Sequence, residues 1–291
     1  VVENSLIYRT GDGMECTRGT SYTTYRNNTL WVTANDVSPR SQGIECAGAG
    51  NHHISILNNS FMGFSDGLQL NQASDVLVQG NRITATTYAI TSAGKNVVIK
   101  NNVISGNRMG IGPAATSSVT ISNNQIFNNG QPILSLPTSA GGTTNASSPA
   151  LLGIDLKVDG PTPNDLEDRC ADHLPDCDGL QNYPVLSENS SWSSNGLTLV
   201  GSLASRPSAT YTIEAFGNHQ LNPAGFGEGE LYLGTTSVTT DASGHASFTV
   251  SIPAGTQPAD ASQPLYFTVT ATNPAGSTSE FSAPIRLSRQ E

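Results

Sequence analysis

Charge is scarce in this chain: only 12% of its 291 residues are Asp, Glu, Lys or Arg. Thirteen basic side chains stand against 23 acidic ones, a formal net charge of −10. The balance is uneven, because residues 1–150 hold 8 basic against 7 acidic side chains and residues 151–291 hold 5 against 16. Neither half supplies the basic face that a phosphate backbone needs, which excludes nucleic acid as a partner. No run of about 18 or more apolar residues occurs, so no segment reads as a membrane span, and no signal peptide opens the sequence. Windows with a sustained apolar period of 3.6 are also missing. A chain without them, but with 29 Gly, 16 Pro and many Ser, Thr and Asn, reads as all-β, and its length admits two domains.

What the sequence does contain is a repeat. Asn59, Asn81, Asn102 and Asn124 recur at steps of 22, 21 and 22 residues. Two residues after each comes a large apolar side chain (Phe61, Ile83, Ile104, Ile126), and seven further on another (Leu68, Ile90, Ile111, Ile133). Upstream of each Asn the pattern alternates: Ile54/Ile56, Val76/Val78, Val97/Ile99, Val119/Ile121. One such unit cannot bury its apolar face alone, so units must stack into a solenoid whose equivalent residues are neighbours in space. Looser units at Asn4 and Asn28 bring the count to about six coils. The Asn column then reads as a structural polar ladder. Because Asn4-Ser5-Leu6 already matches the repeat, further coils, a capping segment or a capping partner are expected before Val1.

Ser, Thr, Gly and Pro crowd residues 135–149, which reads as the exit from the solenoid. An acidic connector follows over 151–180. From 181 to 291 strands alternate with turn signals about every ten residues, as in a small β-sandwich of immunoglobulin-like type. Phe216, Phe226, Tyr232 and Tyr266 are assigned to its core. The segment Gly179-Leu180-Gln181-Asn182-Tyr183-Pro184-Val185-Leu186 and the stretches GFGEGELYLGTTSVTTDASGHASFTV and ATNPAGSTSEFS complete the pattern. On these residues the whole chain resembles right-handed parallel β-helix proteins of the pectate-lyase-like superfamily, in the bacterial secreted or surface branch with a C-terminal immunoglobulin-like domain. The resemblance implies the domains 1–150, 151–180 and 181–291, and a location outside the cell or on its surface. It does not fix an activity, since such folds carry many.

The family layout makes the Gly-apolar strand the first of each coil. Met14, Ile44, Leu68, Ile90, Ile111 and Ile133 then point inward, Glu15, Glu45, Gln69 and Thr91 outward, and Cys16, Cys46 and Leu70 inward again. Cys16 and Cys46 fall at equivalent positions in consecutive coils, so a disulfide is expected, with two packed thiols as the alternative. Cys170 and Cys177 form the second expected pair, and two bridges point to an oxidising compartment. Glu15 and Glu45 stack on the sheet where, by resemblance, pectate lyases and polygalacturonases hold substrate, and Asp12 and Asp66 begin the same strand in their coils. Such carboxylates raise one another's pKa, as a general acid requires, or share a divalent cation. Arg9, Arg18 and Arg40 stand in the adjoining turns. The bland reading is that Asp-Gly is ordinary turn chemistry and exposed Glu is merely solvated.

The acid and base motifs of polygalacturonases, and the basic residue beside calcium-binding aspartates of the lyases, are absent. In the connector, Asp172, Asp176 and Asp178 form a candidate calcium site, since Asp-Cys-Asp-Gly gathers hard oxygens at a tight turn; an acidic solvated linker is the alternative. No other cofactor is expected. His52 and His53, lacking partners at ligand spacing, read as turn residues. The resulting functional reading is a non-catalytic secreted or surface protein, a rigid rod carrying an adhesive module that contacts carbohydrate or another surface. Its alternatives are an extracellular polysaccharide lyase or glycoside hydrolase using Asp12, Glu15, Glu45 and Asp66, and a self-assembling filament subunit.

Overall fold

Each repeat folds into three short strands. A computed structural model describes residues 1–8, 11–33, 41–115, 117–130, 152–165, 168, 179–255 and 265–290. Strands Met14–Glu15, Gln42–Glu45, Asp66–Gln69, Tyr88–Ser92 and Met109–Pro113 pair in parallel as the first sheet. The second sheet contains Ser21–Arg26, His52–Leu57, Ser74–Gln79, Lys95–Lys100 and Val119–Ser122, and the third Thr29–Trp31, Ser60–Met62, Arg82–Thr84, Val103–Ser105 and Gln125–Phe127. That makes five complete circuits. Val2–Glu3 and Leu6–Tyr8 extend the second and third sheets as a partial sixth.

Equivalent residues lie in register, as the repeat requires: Ile54, Val76 and Val97 are paired floor to floor, as are Phe61, Ile83 and Ile104. All six are buried, so the apolar stripe of each unit is covered by its neighbours. The turn between the second and third sheets is built from two residues. The first has a left-handed backbone, at Asn58, Gly80, Asn101 and Asn123, a conformation that Asn and Gly adopt most readily. The second is the column Asn. The backbone N–H and Nδ2 of Asn59 both donate to Asn81 Oδ1 at 2.8 and 3.0 Å, Asn81 does the same to Asn102, and Asn102 to Asn124. These side chains are at most 2% exposed, so the ladder satisfies polar groups that water cannot reach. A second ladder runs five residues later, where Thr86 N and Oγ1 donate to Asn107 Oδ1 and Asn107 donates to Asn129 Oδ1.

The chain divides into two compact units, Val1–Gly160 and Pro161–Glu291. Within the stretch 151–180, residues 152–160 therefore belong to the first unit, where Gly110 and Ile111 donate to the carbonyls of Leu152 and Gly153. In the second unit, Val185–Leu186, Ser191–Ser193, Gly196–Ala204 and His245–Pro253 form one antiparallel sheet. Thr210–Asn218, Leu231–Thr239, Leu265–Thr272 and Ile285–Leu287 form another. The two share an apolar core that includes Trp192, Leu199, Tyr211, Phe248 and Phe267.

Of the four aromatics assigned to this core, Phe216 is buried, at 4% exposure, outside the main cluster, and the other three are not buried. Leu265 and Phe267 point inward, so strand alternation turns Tyr266 away. A register shift after Ala215 directs Phe216 against Tyr232 and Phe281 instead. Tyr232 is 36% exposed, and Phe226 is half-buried in the loop before Leu231.

Candidate functional site

A small residue (Gly13, Gly43, Gly67, Ala89, Gly110) stands near the start of each first-sheet strand for a steric reason. A Cβ on Gly43 would lie 2.4 Å from Gly67 O and 2.6 Å from the Phe61 ring. The first sheet therefore approaches the third-sheet side chains so closely that Gly43 has no room for a side chain, and a polar residue stands just before this position on three floors. Asp12, Gln42 and Asp66 hold that preceding position. Gln42 and Asp66 are register partners, and Asp12 Oδ1 accepts a 3.3 Å hydrogen bond from Gln42 N. Beyond the inward Ile44 and Leu68, the outward column reads Glu15, Glu45, Gln69 and Thr91, again paired floor to floor.

All four predicted carboxylates thus share one face, and their fields interact. Burial pushes the Glu45 carboxyl up, and the negative charges of Glu15 and Asp12 add to the effect. Asp66 is more enclosed. Burial drives its pKa to about 6, Ser65 and Thr91 pull it part of the way back, and Glu45 raises it further. Ser65 Oγ donates to Asp66 Oδ2 at 3.4 Å. Thr91 Oγ1, although near enough to influence this carboxyl, is buried and makes no hydrogen bond of normal geometry, so its share in holding the charge is the weaker one. One face therefore carries a half-buried carboxyl that holds its proton to about pH 6 beside further carboxyl groups, and paired carboxyls of this kind can divide acid from base roles.

Among the described residues no group of three or more His, Cys, Asp or Glu side chains is already disposed to hold a metal ion. Ser65, Tyr88 and Thr91 complete the surroundings of Asp66. Sequence reasoning did not single out Ser65 or Tyr88, yet Tyr88 stands one repeat after Asp66 as its register partner, a signal present in the spacing.

Cys16 and Cys46 form a disulfide, with Cα atoms 4.6 Å apart, at the far end of the strands that carry Glu15 and Glu45. Tyr25 OH lies 3.4 Å from Cys16 Sγ, closing that end of the site from beneath. Arg18 lies with its stem over the position of Gly48. Arg9, Arg40 and Ile133, the pair Cys170 and Cys177, and the candidate calcium ligands Asp172, Asp176 and Asp178 fall outside the described residues. In the same region Asp168 is buried, accepting from Gln181 Nε2, Asn182 N and the Ser205 hydroxyl, and burial raises its pKa to about 6. His52 and His53 are part of a second-sheet strand rather than a turn.

Comparison with known proteins agrees with the solenoid. Residues 42–146 match the family model described as a right handed beta helix region. A curated protein of Acinetobacter baylyi, named 3-dehydroshikimate dehydratase, is 27% identical over 99% of this chain, which spans 59% of that protein's length. Among solved structures, the enzymatically active domain of bacteriophage CBA120 tailspike protein 2 aligns at 11% identity over 90% of this chain and 55% of that one, with a TM-score of 0.23. The full-length tailspike protein 2 aligns over 98% of this chain and 48% of that one, with a TM-score of 0.22. Overlaps at that level say nothing about groove or substrate. No helix among the described residues is long and apolar enough to cross a membrane. The family match and the three stacked sheets together make the repeat region of this chain a right-handed parallel β-helix.

Proposed function

We propose that the first sheet of the solenoid is an acid–base site for β-elimination, acting on a polyhydroxylated, carbohydrate-like substrate whose C–H is acidified by a neighbouring carbonyl or carboxylate. The observation that carries this reading is the Asp66 carboxyl, held near pH 6 beside Glu45 and its two acidic neighbours. In the step itself Glu45, in its carboxylate form, takes the acidic proton and the C–H electron pair becomes the new C=C bond. The C–O bond then breaks, and the departing oxygen receives the Asp66 proton, leaving as water or as an alcohol. Loss of water is the reaction in the dehydratase name of the Acinetobacter relative, and loss of a sugar alcohol is polysaccharide-lyase chemistry, so one site serves either. Rate should fall as pH rises above about 6, where Asp66 loses the proton it must donate. Secretion or surface display fits the disulfide, since such bonds persist in oxidising compartments.

A second reading, the non-catalytic rod with an adhesive module, is favoured by the continuous Asn ladders, which stiffen the solenoid along its length. One experiment separates the two. The chain is incubated at pH 5.5 with 3-dehydroshikimate and, separately, with oligo-uronates, and the conjugated product is followed by ultraviolet absorbance. The enzyme reading expects turnover that drops at least about a hundred-fold in both Glu45→Gln and Asp66→Asn. No product from either substrate class, or product formation indifferent to both substitutions, leaves the rod.

A further inference from the structure

The second sheet carries a different cluster that the elimination chemistry does not use. On a regular strand, adjacent residues point to opposite faces, so His52 and His53 should never meet. They do, because His53 has a left-handed backbone with φ of 53°, which breaks the alternation and brings both rings to one side. Their Nδ1 atoms lie 2.8 Å apart. The same backbone kink occurs on three other floors, at Tyr22, Asp75 and Asn96, so these residues form a column with His53. Tyr22 stacks on His53 with centroids 4.8 Å apart and meets His52 edge-on at 5.6 Å, which fixes both imidazoles from one side. On the other side Asp75 Oδ2 lies 3.9 Å from His53 Nδ1, while Asn96 Nδ2 holds Asp75 Oδ1 at 3.1 Å.

The 2.8 Å separation is that of a hydrogen bond from one imidazole to the other, and a metal ion that replaced the shared proton would find the two nitrogens already spaced as adjacent ligands. With metal–nitrogen bonds of about 2.0 Å, two ligands at a right angle are about 2.8 Å apart and two at the tetrahedral angle about 3.3 Å. Right-angled nitrogen and oxygen ligands are the preference of Cu(II) and Ni(II). We propose that His52, His53 and Asp75 form a surface site for a tetragonal divalent transition metal, with the two imidazoles as an adjacent-edge clamp. Asp75 closes as the third ligand by bringing Oδ2, which already faces His53, inward by about 1 Å, the difference between its present distance and that of a right-angled neighbour. Both His53 and Asp75 are substantially exposed, so solvent-borne metal reaches them. Asn96 orients the carboxylate from behind, as outer hydrogen-bond partners of metal ligands do.

The test is calorimetric titration of Cu(II), Ni(II) and Zn(II) into the whole chain, with electron paramagnetic resonance of the Cu(II) form. His53→Asn keeps the left-handed backbone accessible while removing one imidazole, and His219→Gln removes an unrelated one. The expected result is one Cu(II) per chain, with a tetragonal spectrum showing coupling to two nitrogens. Affinity should fall at least about ten-fold in His53→Asn and several-fold in Asp75→Asn, and should stay unchanged in His219→Gln. Binding that survives His53→Asn overturns the site, and so does a stoichiometric site lost in His219→Gln. Zn(II) bound more tightly than Cu(II) and Ni(II) overturns the tetragonal assignment. Far-ultraviolet circular dichroism of each variant confirms that the comparison is made on folded protein.

Discussion

Replacing Asp66 by Asn should make this protein more stable above pH 6 and leave it nearly unchanged at pH 4. Asp66 has a pKa of about 6 in the fold against an ordinary 3.8, chiefly because burial penalises its charge. A folded-state pKa raised above the unfolded value means that the native state holds the proton more tightly between those two pH values. Stability from this group is therefore fully present below 3.8 and is lost as pH rises through about 6. The gap of about 2 units is worth about 3 kcal/mol at 1.36 kcal/mol per unit, and partial solvent access reduces that to about 1–3 kcal/mol. Asn keeps the shape and carries no charge at any pH, so it escapes the penalty. Urea unfolding of the wild type and Asp66→Asn, at pH 8 and at pH 4, measures the difference directly, because other titrating groups cancel in the comparison. The variant should gain about 1–3 kcal/mol at pH 8 and about half a kcal/mol or less at pH 4. A variant that loses stability at pH 8 would refute the reasoning, since it would mean that Ser65 and Thr91 hold an ionised carboxylate more strongly than burial opposes it.

Other consequences follow from the solenoid. Asn102→Ala strands the Asn81 backbone N–H in the interior and removes the side-chain bonds from Asn81 Nδ2 and to the Val78 carbonyl. At about 1–3 kcal/mol for each unsatisfied group, a loss of about 3–5 kcal/mol should appear as a lower urea midpoint. Gly43→Ala drives a methyl into Gly67 O and the Phe61 ring, and should cost at least about 2 kcal/mol by the same assay. Reducing Cys16–Cys46, which closes a 30-residue separation, should lower stability by about 3–4 kcal/mol in thermal unfolding with and without reductant.

Much of the solenoid was legible because its period is written in side chains of one kind. An Asn recurring every 21 or 22 residues fixes both the turn and the register, and from register alone Glu15 falls beside Glu45 and Cys16 beside Cys46. The ladder through Thr86, Asn107 and Asn129 carries the same period and was equally readable, five residues downstream. Enclosure was not readable. Whether Asp66 is solvated or half-buried depends on its surroundings in the fold, where groups of neighbouring floors such as Thr91 and Glu45 act on it. Local backbone kinks were hidden for a similar reason. Strand alternation is a good rule until one residue adopts a left-handed conformation, as His53 does, and nothing in the dipeptide announces that. In the second unit Tyr266, assigned to the core as an aromatic, faces away from it because Leu265 and Phe267 take the inward phase.

The claim on which the functional account rests is that one carboxyl on the first sheet keeps its proton close to neutrality because of where the fold places it. Nuclear magnetic resonance titration of the Asp66 side-chain carboxyl carbon reads that pKa in the intact chain. A midpoint near 6, moving down in Glu45→Gln, is the predicted result. A midpoint at or below the ordinary aspartate value of about 3.9 would contradict it.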